Sequence, residues 1–262
     1  MRKIRKIRLI FLLALAAASA HSAKAEKIKF QNSEGIEFAG NFTKPHDPLQ
    51  YTLILLHGLG SSKEEWDGFY KLLASKGFGV LVYDARGHGE TKKKVSGEPI
   101  DYQLFYGQGL KSDWGKMIGD LGAARQYLEK KCKIAPHTVA VGGASIGANI
   151  ALRYASEHPE VPFVVLLSPG MNYQGITTSD VAEKFSDRPL LMAASPTDGY
   201  AFQSVLALQK RARSASVTVI QEAPGAGHGV QMFKRRKPDE PSSLETKIVQ
   251  WIQNPKAPRF RD

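Results

Sequence analysis

Between Thr138 and Ala155 the chain reads Thr-Val-Ala-Val-Gly-Gly-Ala-Ser-Ile-Gly-Ala-Asn-Ile-Ala-Leu-Arg-Tyr-Ala, a short β-branched run that breaks at glycines and resumes with helical spacing. That order predicts a strand, a sharp turn and a helix, with Ser145 at the apex. Gly143 and Gly147 stand two positions either side of the serine, where so tight a reversal packs the backbone until a β-carbon would collide. The turn is strained, lifts the hydroxyl clear of the sheet, and sets the Ile146 amide at a helix N-terminus, where developing negative charge is stabilised. The same pattern also suits a serine that merely caps a helix, so its meaning depends on what surrounds it.

The surroundings form a series. Glu26 to Thr43 alternates apolar and polar residues around a turn at Asn32-Ser-Glu-Gly35 and predicts an opening antiparallel hairpin. Tyr51 to Leu56, Gly79 to Tyr83, Pro162 to Leu167, Pro189 to Ala194 and Val217 to Ile220 are short apolar runs of the kind buried on both faces of a parallel sheet. Helical patterns lie between them, at Lys63 to Ser75, Asp113 to Lys131, the segment after Ser145, a short piece near Asp180 to Phe185, and Gly199 to Ala212; Ser242 to Ile252 closes the chain. Strand and helix thus alternate from residue 51 onward, which predicts an α/β fold: a doubly wound, mostly parallel sheet with helices on both faces.

The N-terminus is a different kind of segment. Met1 to Arg8 is basic, Leu9 to Ala20 is apolar and uncharged, and Ala23-Lys-Ala25 ends in the small-x-small form, with Ala18-Ser-Ala20 as a second cleavage point. Residues 1–25 therefore read as a signal peptide and 26–262 as a single domain, exported to the periplasm or secreted. Twelve apolar residues fall short of the ~20 needed to span a bilayer, so no stable membrane anchor is expected. Removing residues 1–25 lowers the formal net charge from +11 to +5; half of the basicity is a targeting device, and Lys92-Lys-Lys94 and Lys234-Arg-Arg-Lys237 read as solvated loops rather than a nucleic-acid surface. The single Cys132 allows no internal disulfide. The core must stand alone.

In open α/β sheets reactive groups gather beyond the carboxyl ends of the strands. If Ser145 is a nucleophile, a base, an acid and oxyanion donors are needed at other strand ends. His228, in Gly225-Ala-Gly-His-Gly229, follows the last strand, and its glycines let the loop carry the imidazole back over the sheet. Asp198 follows the strand ending at Ala194 and can orient that imidazole, although it can equally cap the helix beginning at Gly199. Asp187, the nearest rival acid, precedes the same strand and belongs at the other edge. The backbone N–H groups of Leu59 and Ile146 are the oxyanion donors, one at the end of the first buried strand and one in the serine turn.

The order Ser145, Asp198, His228, with His57-Gly-Leu-Gly60 upstream and Asp84-Ala-Arg-Gly-His-Gly89 between, resembles the α/β-hydrolase superfamily, in its branch of small esterases, thioesterases and serine-peptidase-like hydrolases with short lids. The resemblance spans about residues 27 to 253. It implies a catalytic Ser145, a base at His228, an acid at Asp198, an oxyanion hole at Leu59 and Ile146, and supporting roles for His57 and the Arg86–His88 loop. Serine rather than aspartate at the turn argues against dehalogenase and epoxide-hydrolase chemistry. Only about Gly170 to Ser186 is available as a lid, so the pocket is expected to be open, with Tyr102, Phe105, Tyr106, Met171 and Tyr173 as candidates to line it.

The expected activity is hydrolysis of a carboxylic ester or related acyl compound by an acyl-enzyme route on a small-molecule substrate. No metal or organic cofactor is expected, since no ligand cluster with metal spacing occurs. Peptidase and thioesterase chemistry would use the same groups, and a non-catalytic binding module on the same fold is the alternative from a different class.

Overall fold

The computed structural model describes residues 25–185, 187–212 and 216–255; the signal-peptide reading of residues 1–25 falls almost wholly outside them. The hairpin forms as β1 (Glu26–Gln31) and β2 (Glu37–Thr43), paired antiparallel, with Asn32 Oδ1 accepting the Glu34 and Ile36 amides in the turn. There follow β3 (Thr52–Leu56), α1 (Asp67–Ser75), β4 (Gly79–Tyr83), α2 (Asp113–Lys130), β5 (Val139–Ala144), α3 (Ile146–Glu157) and β6 (Val164–Leu167). The short lid segment contains a two-residue ladder, β7 (Asn172–Tyr173) with β8 (Ile176–Thr177), and one helical turn, α4 (Ser179–Ala182). Then come β9 (Pro189–Ala194), α5 (Gly199–Arg211), β10 (Ser216–Gln221) and α6 (Ser243–Gln253).

The main sheet has eight strands in the order β1-β2-β4-β3-β5-β6-β9-β10. From β4 to β10 all neighbours are parallel, and β2 runs antiparallel to both of its partners. The doubly wound expectation holds. Side chains alternate through the sheet, so a continuous apolar run feeds two cores. Ile54 and Leu56 face α2, α3 and α5 with Leu121, Ile150 and Leu208. Leu53 and Leu55 face α1 and α6 with Phe69, Leu73, Ile248 and Trp251.

Two local details depart from the periodicity. Residues 63–66 wind as a 3-10 turn before α1 begins at Asp67, and the β7–β8 ladder is too short to leave an alternating signature. Chain order reverses between β3, flanked by β4 on one side, and β5 on the other. Crevices open at such reversals in wound sheets. Leu56 of β3 pairs in register with Gly143 of β5, so the His57 loop and the Ser145 turn leave the sheet side by side.

Candidate active site

Ser145 ends β5 with φ 55° and ψ −123°, a conformation that costs a non-glycine residue on the order of 1–3 kcal/mol. Neighbouring contacts hold it there: its N–H donates to Leu167 O at 2.9 Å and its carbonyl accepts the Ala148 N–H at 3.0 Å. Its side chain makes no capping hydrogen bond, which removes the simple N-cap reading. The glycines are there for space. A β-carbon on Gly143 would lie 2.4 Å from the Gly147 carbonyl carbon, and one on Gly147 would lie 2.6 Å from the carbonyl oxygens of both Leu56 and His57.

The competition over Asp198 is resolved by its side chain. It occupies the N-cap position of α5 but makes no capping bond; Oδ2 instead meets His228 Nδ1 at 2.7 Å. Asp198 is 15% exposed and His228 40%. Two bonds lace the loops that carry them: Ser195 Oγ donates to Ala223 O at 2.8 Å, and Gly225 N–H donates to Thr197 Oγ1 at 2.7 Å. The His228 loop in turn lies against the serine turn. Gly229 N–H donates to Ser168 Oγ at 2.8 Å, and a β-carbon on Gly229 would stand 3.2 Å from Ala144 Cβ. Asp187 precedes β9, at the opposite edge of the sheet.

On the other flank of Ser145, a β-carbon at Gly58 would lie 3.5 Å from Ser145 Cβ. His57 is buried and spans the loop: Nε2 accepts the Ala85 N–H at 3.0 Å, which leaves Nδ1 to donate to Gly58 O at 2.8 Å. Burial pushes the His57 pKa down and favours that neutral form. A carbonyl and the next N–H share one peptide plane and point in opposite directions, so gripping Gly58 O also aims the Leu59 N–H. Among the described residues, neither the Leu59 nor the Ile146 amide donates a hydrogen bond. Both are available beside Ser145.

The five pocket candidates divide. Tyr173 donates its hydroxyl to Ser168 O at 3.4 Å, its ring stands edge-on to His228 at 6.3 Å, and burial raises its phenol pKa. Tyr102 stacks on His88 at 4.0 Å, and its hydroxyl would be 3.2 Å from a β-carbon on Gly60. Phe105 packs edge-on against Trp114 at 4.9 Å and lines a separate hollow with Arg86 and Lys116. Tyr106 is 95% exposed. Met171 packs onto the core, with its amide donating to Ser204 Oγ.

Several supporting residues carry no motif signal. Lys63, buried, donates its backbone N–H and its ammonium to the fully buried Asp84, each at 2.8 Å, and bonds Glu90 as well. Burial opposes its charge, but hydrogen bonds to Asp84, Glu90 and Glu64 raise its pKa above the ordinary value. This pair ties the His57 loop to the end of β4. Glu65 accepts the Gly58 N–H at 3.0 Å. Ser168, buried with φ 49°, holds the His228 loop as described. Glu65 lies in the 3-10 turn that precedes α1 and reaches back to the loop from there.

Residues 47–219 match the family described as serine aminopeptidase, S33. The chain belongs to this family of α/β hydrolases. Among curated relatives, the S33-family chain is 31% identical over 127 residues to an AB hydrolase superfamily protein of Gibberella zeae, covering 48% of this chain and 38% of that one. The chain spans well under half the length of the curated relatives it matches. Its fold is similar to an esterase of Pyrococcus furiosus, with TM-score 0.67, 18% identity and coverage of 88% and 90% of the two chains. It is also similar to a dienelactone hydrolase of Anabaena variabilis, with TM-score 0.65, 17% identity and coverage of 89% and 98%. The family match and the two solved structures agree on the α/β-hydrolase fold.

Proposed function

We propose that this hydrolase cleaves carboxylic esters or related acyl compounds through an acyl-enzyme intermediate, with Ser145 as nucleophile, His228 as general base and acid, and Asp198 orienting the imidazole. The observation that carries this reading is the 2.7 Å contact between His228 Nδ1 and Asp198 Oδ2, made by a loop packed against the Ser145 turn. With Nδ1–H donating to the carboxylate, Nε2 is left as the base.

In the first step Ser145 Oγ attacks the acyl carbon as His228 Nε2 takes its proton, and the Leu59 and Ile146 amides hold the oxyanion. The imidazolium, stabilised by Asp198, then protonates the leaving alkoxide as the carbon–oxygen bond breaks. Water, deprotonated by the same imidazole, attacks the acyl group, and collapse returns the proton to Ser145 and releases the acid. An apolar mouth supports acyl or aryl substrates: Leu59 is 46% and Tyr200 52% exposed, and Tyr200 packs edge-on to Tyr173 at 5.6 Å.

Purified protein lacking residues 1–25 should be assayed on aryl esters of graded acyl length, an acyl thioester and an aminoacyl anilide. Turnover of short esters that disappears in Ser145→Ala supports the ester reading. Cleavage of the anilide alone would replace it with a peptidase, and a folded protein inert to all would favour the binding module. We also place the mature domain outside the cytoplasm on the strength of its leader pattern; fractionation that finds the uncleaved chain in the cytoplasm would overturn this.

A further inference from the structure

Gly58 is gripped on both of its peptide planes. His57 Nδ1 donates to its carbonyl at 2.8 Å, as does the Ser61 N–H at 3.2 Å, and its own N–H donates to Glu65 Oε1 at 3.0 Å. Gly58 also lies against the serine turn, where a β-carbon on it would stand in ordinary contact, 3.5 Å from Ser145 Cβ. A carboxylate in such a place is unusual, because its negative charge lies near the position where an oxyanion would form and its desolvation opposes ionisation. Burial does push the Glu65 pKa up, while a hydrogen bond from Ser61, the Gly58 N–H and the positive potential of His228 act in the opposite direction. None of the steps above requires this side chain for proton transfer.

We propose that Glu65 is a positioning residue: its side-chain oxygen fixes the Gly58 N–H, and through the rigid Gly58 unit it aims the Leu59 amide at the oxyanion formed beside Ser145. This rests on the reading of Ser145 and Leu59 given above. The bonds on the two sides of Gly58 act together. His57 and Ser61 hold only its carbonyl, which leaves the unit free to rock about that end, and Glu65 supplies the second fixed point at the N–H. The required property is acceptance of a hydrogen bond, which a neutral amide oxygen also has, and not negative charge.

The test compares wild-type protein with Glu65→Ala and Glu65→Gln, on a short aryl ester and with an aryl boronic acid whose tetrahedral adduct on Ser145 sets an oxygen in the oxyanion hole. A wild type that neither turns over the ester nor binds the boronate defeats the underlying reading rather than this proposal. With an active wild type, Glu65→Ala should lose about tenfold to a hundredfold in kcat, less than the ~10²–10³ of deleting a donor outright. Its KM should stay within about threefold, and its boronate Ki should rise in parallel with the loss in kcat. Glu65→Gln should recover kcat to within about threefold of wild type. Should Glu65→Ala not fold, Glu65→Met, which fills the space without an acceptor, takes its place. An unchanged kcat and Ki in the acceptor-free variant, a loss confined to KM, or a Glu65→Gln as impaired as Glu65→Ala would each overturn the proposal.

Discussion

His228 Nδ1 meets Asp198 Oδ2 at 2.7 Å across 30 residues of chain, and the aspartate gives up the capping bond that its position at the head of α5 offers. A carboxylate that forgoes local stabilisation of a helix for a distant imidazole is what the proposed triad requires. Asp198→Asn should therefore leave the fold intact while lowering kcat by about 10⁴, because the amide no longer enforces the Nδ1–H tautomer. Steady-state kinetics alongside a thermal melt checks this; a loss of Tm with unimpaired kcat would assign Asp198 to the helix instead.

The serine turn depends on close approach of backbone to backbone. Gly147→Ala would set a β-carbon 2.6 Å from two carbonyl oxygens of the β3 end, neither of which can swing away as a side chain could. It should cost about 1–3 kcal/mol and reduce activity as well, and urea unfolding of the variant measures the first directly.

Lys63→Ala would leave Asp84, with no exposed surface, without its ammonium partner. Breaking a buried pair by removing one member costs about 3–5 kcal/mol. Equilibrium urea denaturation should show a fall of that order, with the His57 loop loosened in the native state and hydrogen exchange quickened at Ala85, whose N–H donates to His57.

Acid should destabilise the fold through its buried histidines. Burial, with the neighbouring His57, pushes the His88 pKa down to about 4, whereas in the unfolded chain it is near the ordinary ~6.5. The unfolded state therefore binds the proton first. The contribution is intact above pH ~6.5 and declines as pH falls from there towards 4, by up to about 3 kcal/mol. His57 acts in the same direction. Urea midpoints measured from pH 7 to 4.5 should drop, and His88→Phe should flatten part of that limb.

The order of strands and helices and the glycines at 143 and 147 were legible because each follows from local periodicity and from steric limits that sequence states directly. Asp198, His228 and Ser145 were readable as residues at strand ends, since a wound sheet sends those ends to one edge. What sequence could not convey was side-chain direction in loops. Tyr102 and Tyr173 turn toward the site while Phe105 and Tyr106, three and four residues from the first of these, turn to Trp114 and to solvent. Glu65 and Ser168 were invisible for the same reason. Glu65 reaches Gly58 from a 3-10 turn that helical spacing does not announce, and a left-handed serine after β6 has no signature comparable to a glycine's.

The most direct test of the central claim is mass-spectrometric mapping of the adduct formed by a fluorophosphonate on the folded mature domain. Labelling at Ser145 that vanishes in Ser145→Ala, together with an ester turnover reduced by up to about 10⁶, is the result expected. A protein that hydrolyses esters yet carries its adduct on another residue, or whose turnover survives Ser145→Ala, would contradict it.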